Sequence, residues 1–335
     1  MVRRVWGSRS LVTFGTVIGL AGAAALAEQA AAGQGAAPQA PRFSSRIMIY
    51  DTHLRRITEV FRAESAIWEA PNWSRDGKFL VPNSGGRIYR LPVDGSTPPQ
   101  PINLDPELRA NNDHDFSPDG TRLAISASTS TSKGSQVFVA NADGSNHRLV
   151  VSAVPSYFHG WSPDGKYLSF VANRDMKQYD LYRVPADGGP EERLTFDPAY
   201  DDGTDYSPDG KWIYFNSDRG GGWNIWRMPA DGAGQNDQRA ERVTNDELED
   251  WFPHPSPDGK SLVFLSFPAK TTGHNDRHLP VKLRMIPMPG EAITPATPTV
   301  LVELIGGQGT INVNSWSPDS RRFAYVAYVD NRPPQ

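Results

Sequence analysis

The tetrapeptide Ser-Pro-Asp-Gly stands at Ser117–Gly120, Ser162–Gly165, Ser207–Gly210 and Ser256–Gly259, with near copies at Ser74-Arg75-Asp76-Gly77 and Ser317-Pro318-Asp319-Ser320. Successive serines lie 43, 45, 45, 49 and 61 residues apart. A period in this range restricts the chain to an array of like units, none able to bury its apolar face alone. The tetrapeptide itself is a turn. Proline presets φ at the first corner, aspartate bonds its own backbone, and glycine accepts positive φ without steric cost. Its Ser and Asp are therefore read as turn chemistry, not as a nucleophile or a carboxylate pair.

An aromatic residue precedes most copies (Trp73, Phe116, Trp161, Tyr206, Trp316), and a short apolar run follows each: Phe79-Leu80-Val81, Leu123-Ala124-Ile125, Tyr167–Phe170, Trp212–Phe215, Leu262–Leu265 and Phe323–Val326. These runs are too short for helices, rich in aromatic and β-branched residues, and bounded by turn signals, so they read as strands. A second strand follows in each unit (for example Leu181–Val184), then a turn such as Ala186-Asp187-Gly188 or Ala230-Asp231-Gly232, then a third strand such as Arg193-Leu194-Thr195. Four short antiparallel strands repeated every 40 to 50 residues predict the blades of an all-β propeller. With strands lettered a to d from the axis outward, the tetrapeptide joins a to b and the Ala-Asp-Gly turn joins c to d. The last unit carries only strands a and b. An orphan pair, Ile47–Tyr50 and Ile57–Phe61, supplies c and d at the other end of the sequence. The two halves predict one composite blade that closes a six-bladed ring and leaves no free sheet edge.

Three arginines (Arg3, Arg4, Arg9) precede an uncharged run from Leu11 to Ala27 that ends Ala25-Leu26-Ala27. This is the pattern of a secretory signal peptide over residues 1–27. Residues 28–45 then read as a flexible Ala/Gly/Gln/Pro linker, 46–330 as the propeller and 331–335 as a tail. There are no cysteines, which excludes disulfides and thiolate metal sites. A formal net charge of −4 without a long basic run argues against nucleic acid as a partner.

The Ser-Pro-Asp-Gly blades, the Ala-Asp-Gly turns and the export pattern resemble the TolB-type propellers, relatives of the WD-type repeats, over roughly Arg46 to Val329. That family includes periplasmic interaction modules, propeller domains attached to peptidases, and a sugar-acid lyase that binds a metal on its top face. The resemblance implies a periplasmic or secreted propeller. Against that family, the expectation for this chain is a propeller without the translocation protein's N-terminal α/β domain and without the peptidases' hydrolase domain.

In such a propeller the d–a and b–c loops form the top face, where strand a lines the channel. Five of the seven histidines map there: His114, His159 and His254 just before tetrapeptide serines, and His274 and His278 in the long b–c loop of the fifth unit. Asn72, Asp113, Asp115, Asp202, Asp205, Glu249, Asp250, Asn312 and Asn314 occupy equivalent starts of strand a. The ligand-binding candidates are His114, His159, Asp205, Asp250, His254, Asn314, His274 and His278. Of these, His114, His159 and His254 are candidate ligands for a divalent ion such as Mn, Zn or Ca. Trp251 and Phe252 suggest either stacking on a sugar or packing between blades. The glycine clusters Gly220–Gly222 and Gly306-Gly307-Gln308-Gly309 precede no helix and do not suggest a phosphate site. The expected function is binding of an envelope protein or glycan through the top face by a monomer without a transmembrane span after signal cleavage. The alternative is a carbohydrate-active lyase or hydrolase with a histidine/metal site on the same face.

Overall fold

The structure is a computed structural model that describes residues 42–271, 274 and 278–331. Residues 1–27, read above as a signal peptide, most of residues 28–45, read as a linker, the end of the segment read as a tail and parts of the long fifth-unit loop lie outside the described residues. Six sheets are arranged as blades. Blade 1 runs Glu69–Trp73, Phe79–Ser84, Arg87–Pro92 and Gln100–Pro101. Blade 2 runs Arg109–Phe116, Arg122–Ser128, Gln136–Asn141 and Arg148–Val151. Blade 3 runs Ser156–Trp161, Tyr167–Ala172, Asp180–Pro185 and Glu192–Arg193. Blade 4 runs Asp201–Tyr206, Trp212–Ser217, Asn224–Pro229 and Glu241–Arg242. Blade 5 runs Glu249–Pro255, Ser261–Phe267, Leu279–Pro287 and Thr299–Gly306. Each set gives strands a to d in order, and all pairings are antiparallel.

Blade 6 is the composite. Its strand b is Arg322–Asp330, its strand c is Phe43–Asp51 and its strand d is Arg56–Arg62, with Trp316 bridging Phe323 as a short strand a. Strand c starts at Phe43, inside the segment assigned from sequence to the linker. Phe43, Ser44 and Ser45 are buried and pair with Asp330, Val329 and Tyr328. The ordered propeller therefore begins three residues before Arg46. A polar Ser-Ser pair hid the strand, because both are enclosed only once strand b of blade 6 lies alongside.

The tetrapeptide turns act as expected, and their geometry explains the recurrence. Ser162 Oγ donates to Asp164 Oδ1 at 2.7 Å and accepts from Tyr167 N at 2.9 Å, while Gly165 N donates to Ser162 O at 2.8 Å with Gly165 at φ +69°. The same Ser–Asp bond forms at Ser74, Ser117, Ser207, Ser256 and Ser317. Each serine is thus occupied in holding the a–b corner.

Buried apolar residues gather in the seams between blades. One cluster fills each of the six seams, for example Val137, Val139, Trp161, Leu168 and Phe170 between blades 2 and 3, and Ile47, Val326, Trp73 and Leu80 between blades 6 and 1. The aromatics that precede five of the six turns, Trp73, Phe116, Trp161, Tyr206 and Trp316, each lie in one of these clusters. On the bottom face, strand-c arginines fasten three of the seams. Arg90 donates to Ala142 O at 2.7 Å, Arg183 to Ala230 O at 2.8 Å and Arg227 to Gly290 O at 2.6 Å. Among the described residues no helix is long and apolar enough to cross a membrane.

Candidate functional site at the channel mouth

Strand a carries the top-face residues, and it is irregular. Its register with strand b shifts between Glu69 and Asn72, Ala110 and His114, Phe158 and Gly160, Asp202 and Asp205, and Trp251 and His254. Four residues before the tetrapeptide serine, Ala70, Gly203 and Phe252 take φ of +48°, +65° and +53°. A bulge re-aims the side chains on either side of it. Residues at one offset from the serine therefore do not share one direction.

This explains where the candidate residues fall. His114 is turned into the seam with blade 1, where its Nε2 donates to Val81 O at 2.7 Å. Burial pushes its pKa down to about 4, so it is a neutral packing residue. His254 places Nε2 2.7 Å from Ile311 O and Nδ1 3.2 Å from Asp205 Oδ2. Asn314 Nδ2 donates to the same Asp205 oxygen at 2.8 Å, and Asn72 Nδ2 to Asn314 O at 3.2 Å. Asp205, His254 and Asn314 thus lace blades 4, 5 and 6 together. Asp250 lies inside blade 5, fixed by Arg284 at 2.5 Å and by Ser266 Oγ at 2.7 Å. Burial raises its pKa to about 6, opposed first by Arg284. His278 packs elsewhere, its ring stacked on Phe43 and edge-on to Tyr328 of blade 6.

The remaining two candidates meet. His159 Nε2 is 3.1 Å from Asp202 Oδ1, and His274 Nε2 is 3.7 Å from Asp202 Oδ2. They border a cavity of about 460 Å³ at the top of the channel, lined also by Asn111, Asp113, Tyr157, Tyr179, Tyr200 and Gln308. Asp113 reaches it from blade 2, held by the side-chain amides of Asn111 at 2.6 Å and Asn312. Burial opposes charge on His159, but the hydrogen bond to Asp202 and the carboxylates of Asp202, Asp113 and Asp205 outweigh it and raise its pKa. Asp202 is lowered: burial works against its charge, and His159 more than compensates. His274 is lowered by burial. Asp113 is raised to about 6, first by burial, with His159 opposing. The mouth thus brings together two carboxylates, a histidine whose charged form those carboxylates favour and a histidine whose charged form burial disfavours.

Aromatic rings curve around one side of this cluster. Tyr157 and Tyr179 have centroids 6.2 Å apart, Tyr179 stacks on Tyr200 at 5.1 Å, and Tyr200 meets Trp223 edge-on at 5.1 Å. Trp223 lies 3.8 Å from Trp251, which lies 4.4 Å from His274. Trp251 and Phe252 are fully buried, so they support the site from beneath and offer no stacking face. Sequence reading passed over the three tyrosines and Gln308. Tyr179 and Tyr200 stand immediately before strands c and a on the top face, which is the signal that marks them.

The expected metal trio does not assemble as a set of donors. His114 and His254 direct ring nitrogens at backbone carbonyls, and only His159 opens on the cavity. Among the described residues no group of three or more His, Asp or Glu is arranged to hold a metal ion.

A six-bladed ring of four-stranded antiparallel blades, with a polar, tyrosine-bordered cavity at one end of its channel, defines a β-propeller. Residues 113–279 match the TolB beta propeller domain. An uncharacterized protein of Agrobacterium fabrum is 42% identical over 284 residues, which is 85% of this chain and 92% of that protein. A solved structure from Agrobacterium tumefaciens assigned to TolB is 41% identical, with a TM-score of 0.79 over 86% of this chain and 99% of its own. TolB of Acinetobacter baumannii shares the fold at 19% identity and a TM-score of 0.55, over 73% of this chain and 61% of its own. The chain belongs to the TolB-type β-propeller family.

Proposed function

We propose that the protein is an exported propeller of the cell envelope that binds a segment of a protein or a glycan at its channel mouth. The observation that carries this reading is the cavity lined by Tyr157, Tyr179 and Tyr200 together with Asp113, His159 and Asp202. A few polar groups converging in a cleft with aromatic walls are the usual make-up of a recognition site. Family membership and the basic-apolar-small pattern of residues 1–27 support export to the periplasm. The test is a peptide and glycan array probed with wild type, Tyr200→Ala, Asp202→Asn and the bottom-face variant Asp187→Ala. Hits lost in the two top-face variants and kept in the third are expected. Hits indifferent to the top-face variants would sink the reading.

A second reading, a carbohydrate-active lyase or hydrolase, has one observation in its favour. Asp113 and Asp202 are pushed to opposite sides of the ordinary carboxylate range, as an acid and a base require. Turnover of a screened oligosaccharide by wild type but not by Asp113→Asn would support it.

A further inference from the structure

The charges at the mouth narrow the ligand class, given the recognition site proposed above. Among its described lining residues there is no Lys or Arg. The arginines set near the tops of blades 4 and 5 are committed: Arg219 binds Asp201 and Asp237, and Arg284 binds Asp246 and Asp250. Arg75, which reaches the neighbouring residue Asp115, is fixed there at 2.6 Å. Asp113 has only amide partners, Asn111 and Asn312, and faces no cationic side chain within hydrogen-bonding distance. Asp202 has one oxygen on His159, while the other faces His274 at 3.7 Å. An anionic ligand, such as a sugar acid, would meet the carboxyl groups of Asp113 and Asp202, with His159 already engaged by Asp202.

The geometry points to a cationic ligand: we infer that the mouth recognises the ammonium group of a peptide, presented on a lysine side chain or at a free α-amine. An ammonium brought out of water needs a carboxylate and hydrogen-bond acceptors, and Asp113 and Asp202 supply them. The π-faces of Tyr157, Tyr179 and Tyr200 add attraction for a cation within about 6 Å of a ring. Depth favours a peptide over an amino sugar. Asp113 and Asp202 are only 2% and 5% exposed, so little of either carboxylate is open to a ligand, and an ammonium at the tip of a slender chain needs less access than a sugar ring. The side-chain amides of Asn112 and Gln308 in the lining offer donor and acceptor pairs that match peptide groups.

The test is calorimetric titration of the full-length mature protein with blocked acetyl-Gly-Lys-Gly-amide, unblocked Gly-Gly-Gly-amide, and acetyl-Gly-X-Gly-amide with norleucine or glutamate at X. Glucosamine and galacturonate complete the set. The lysine peptide or the free-amine peptide is expected to bind at least ~10-fold more tightly than the norleucine and glutamate peptides. Which of the two binds identifies the source of the ammonium. Asp202→Asn should abolish the difference, and the wild-type series alone decides the matter if that variant does not fold. Equal binding of norleucine or glutamate peptides, or tighter binding of glucosamine than of either amine peptide, overturns the inference. Neutral-peptide binding that is lost in Tyr200→Ala would end the ammonium assignment and leave the recognition site standing. No binding by any probe would end both.

Discussion

His159 of blade 3 and Asp202 of blade 4 meet across a seam at 3.1 Å, both almost wholly buried. The comparison with His114 shows what this contact does. His114 is as deeply buried but has only a carbonyl partner, and its pKa falls to about 4. His159 suffers the same burial, yet Asp202 and its neighbouring carboxylates carry it above the ordinary value.

Replacing Asp202 by Asn should therefore let burial dominate at His159. Its pKa is expected to fall by about one unit or more, read from the imidazole proton shifts in an NMR titration. The sign for stability follows from the raised native value. The wild-type contribution is fully present below the unfolded histidine range and is lost as pH rises through the native pKa. Asp202→Asn should lack that loss. An unchanged titration of His159 would show that the contact does not set its charge.

Binding of a cationic probe should strengthen with pH. Asp113, which faces His159, Asp202 and the amides of Asn111 and Asn312, loses its proton near pH 6. Its ionised form attracts a cation, and neutralisation of His159 at higher pH acts in the same direction. Affinity for acetyl-Gly-Lys-Gly-amide is expected to rise about tenfold between pH 5 and pH 7.5. Asp113→Asn should flatten the part of the rise centred near pH 6. A probe that binds more tightly at pH 5 would contradict this charge assignment.

Gly203 holds the bulge beside Asp202. At φ +65°, its own N–H donates to Asp202 Oδ1 at 2.7 Å, and a Cβ there would lie 2.3 Å from Asn216 Oδ1. Gly203→Ala combines an unfavourable backbone conformation with a steric clash and should cost at least ~2 kcal/mol in urea unfolding. Gly165→Ala is the control. Its φ is similar at +69°, but a Cβ would meet nothing closer than 3.5 Å, so about 1–2 kcal/mol is expected. Equal costs at the two sites would remove the steric part of the argument.

The composite blade offers a fourth test. Ile47 is fully buried in the seam cluster with Trp73, Leu80 and Val326. Ile47→Ala should lose about 2–5 kcal/mol. A circular permutant that moves residues 42–63 behind Asn331 through a short linker should fold and keep its thermal transition, because it preserves the b–c order of blade 6. A deletion of 42–63 that left the transition unchanged would mean the ring does not depend on that blade.

The fold was legible because one motif marks the same corner in every blade. The Ser–Asp bond and the positive φ after it demand a fixed set of residues, so the spacing of Ser74 through Ser317 measures the blades directly. The site was legible only in part. His159 and His274 reached the mouth, whereas His114, His254, Asp250 and His278 did not. Counting back from the serine assumes regular alternation, and the bulges at Phe158/Gly160 and Trp251/His254 break it. The tyrosines escaped because Tyr157 lies in strand a of blade 3 while Tyr179 and Tyr200 stand just before strand c of blade 3 and strand a of blade 4, and Tyr200 joins the other two only when the two blades are set side by side. Asp202 stood among several acidic residues of equal apparent weight. Nothing in its spacing distinguished it from Asp201, which binds Arg219 instead.

The pairing of Phe43–Asp51 with Arg322–Asp330 also orders events in time. Asp51 and Arg321 touch at 3.2 Å although 270 residues separate them. Joining such distant points in a loose chain costs about 5 kcal/mol of loop entropy. Once the intervening five blades have curved into place, the two strands are neighbours and little of that cost remains. A chain emerging with its N-terminus first must therefore hold the outer half of blade 6 in readiness, its edge unmatched, until the last strand arrives. During that interval the open edge is the part of the molecule most exposed to pairing with a wrong partner.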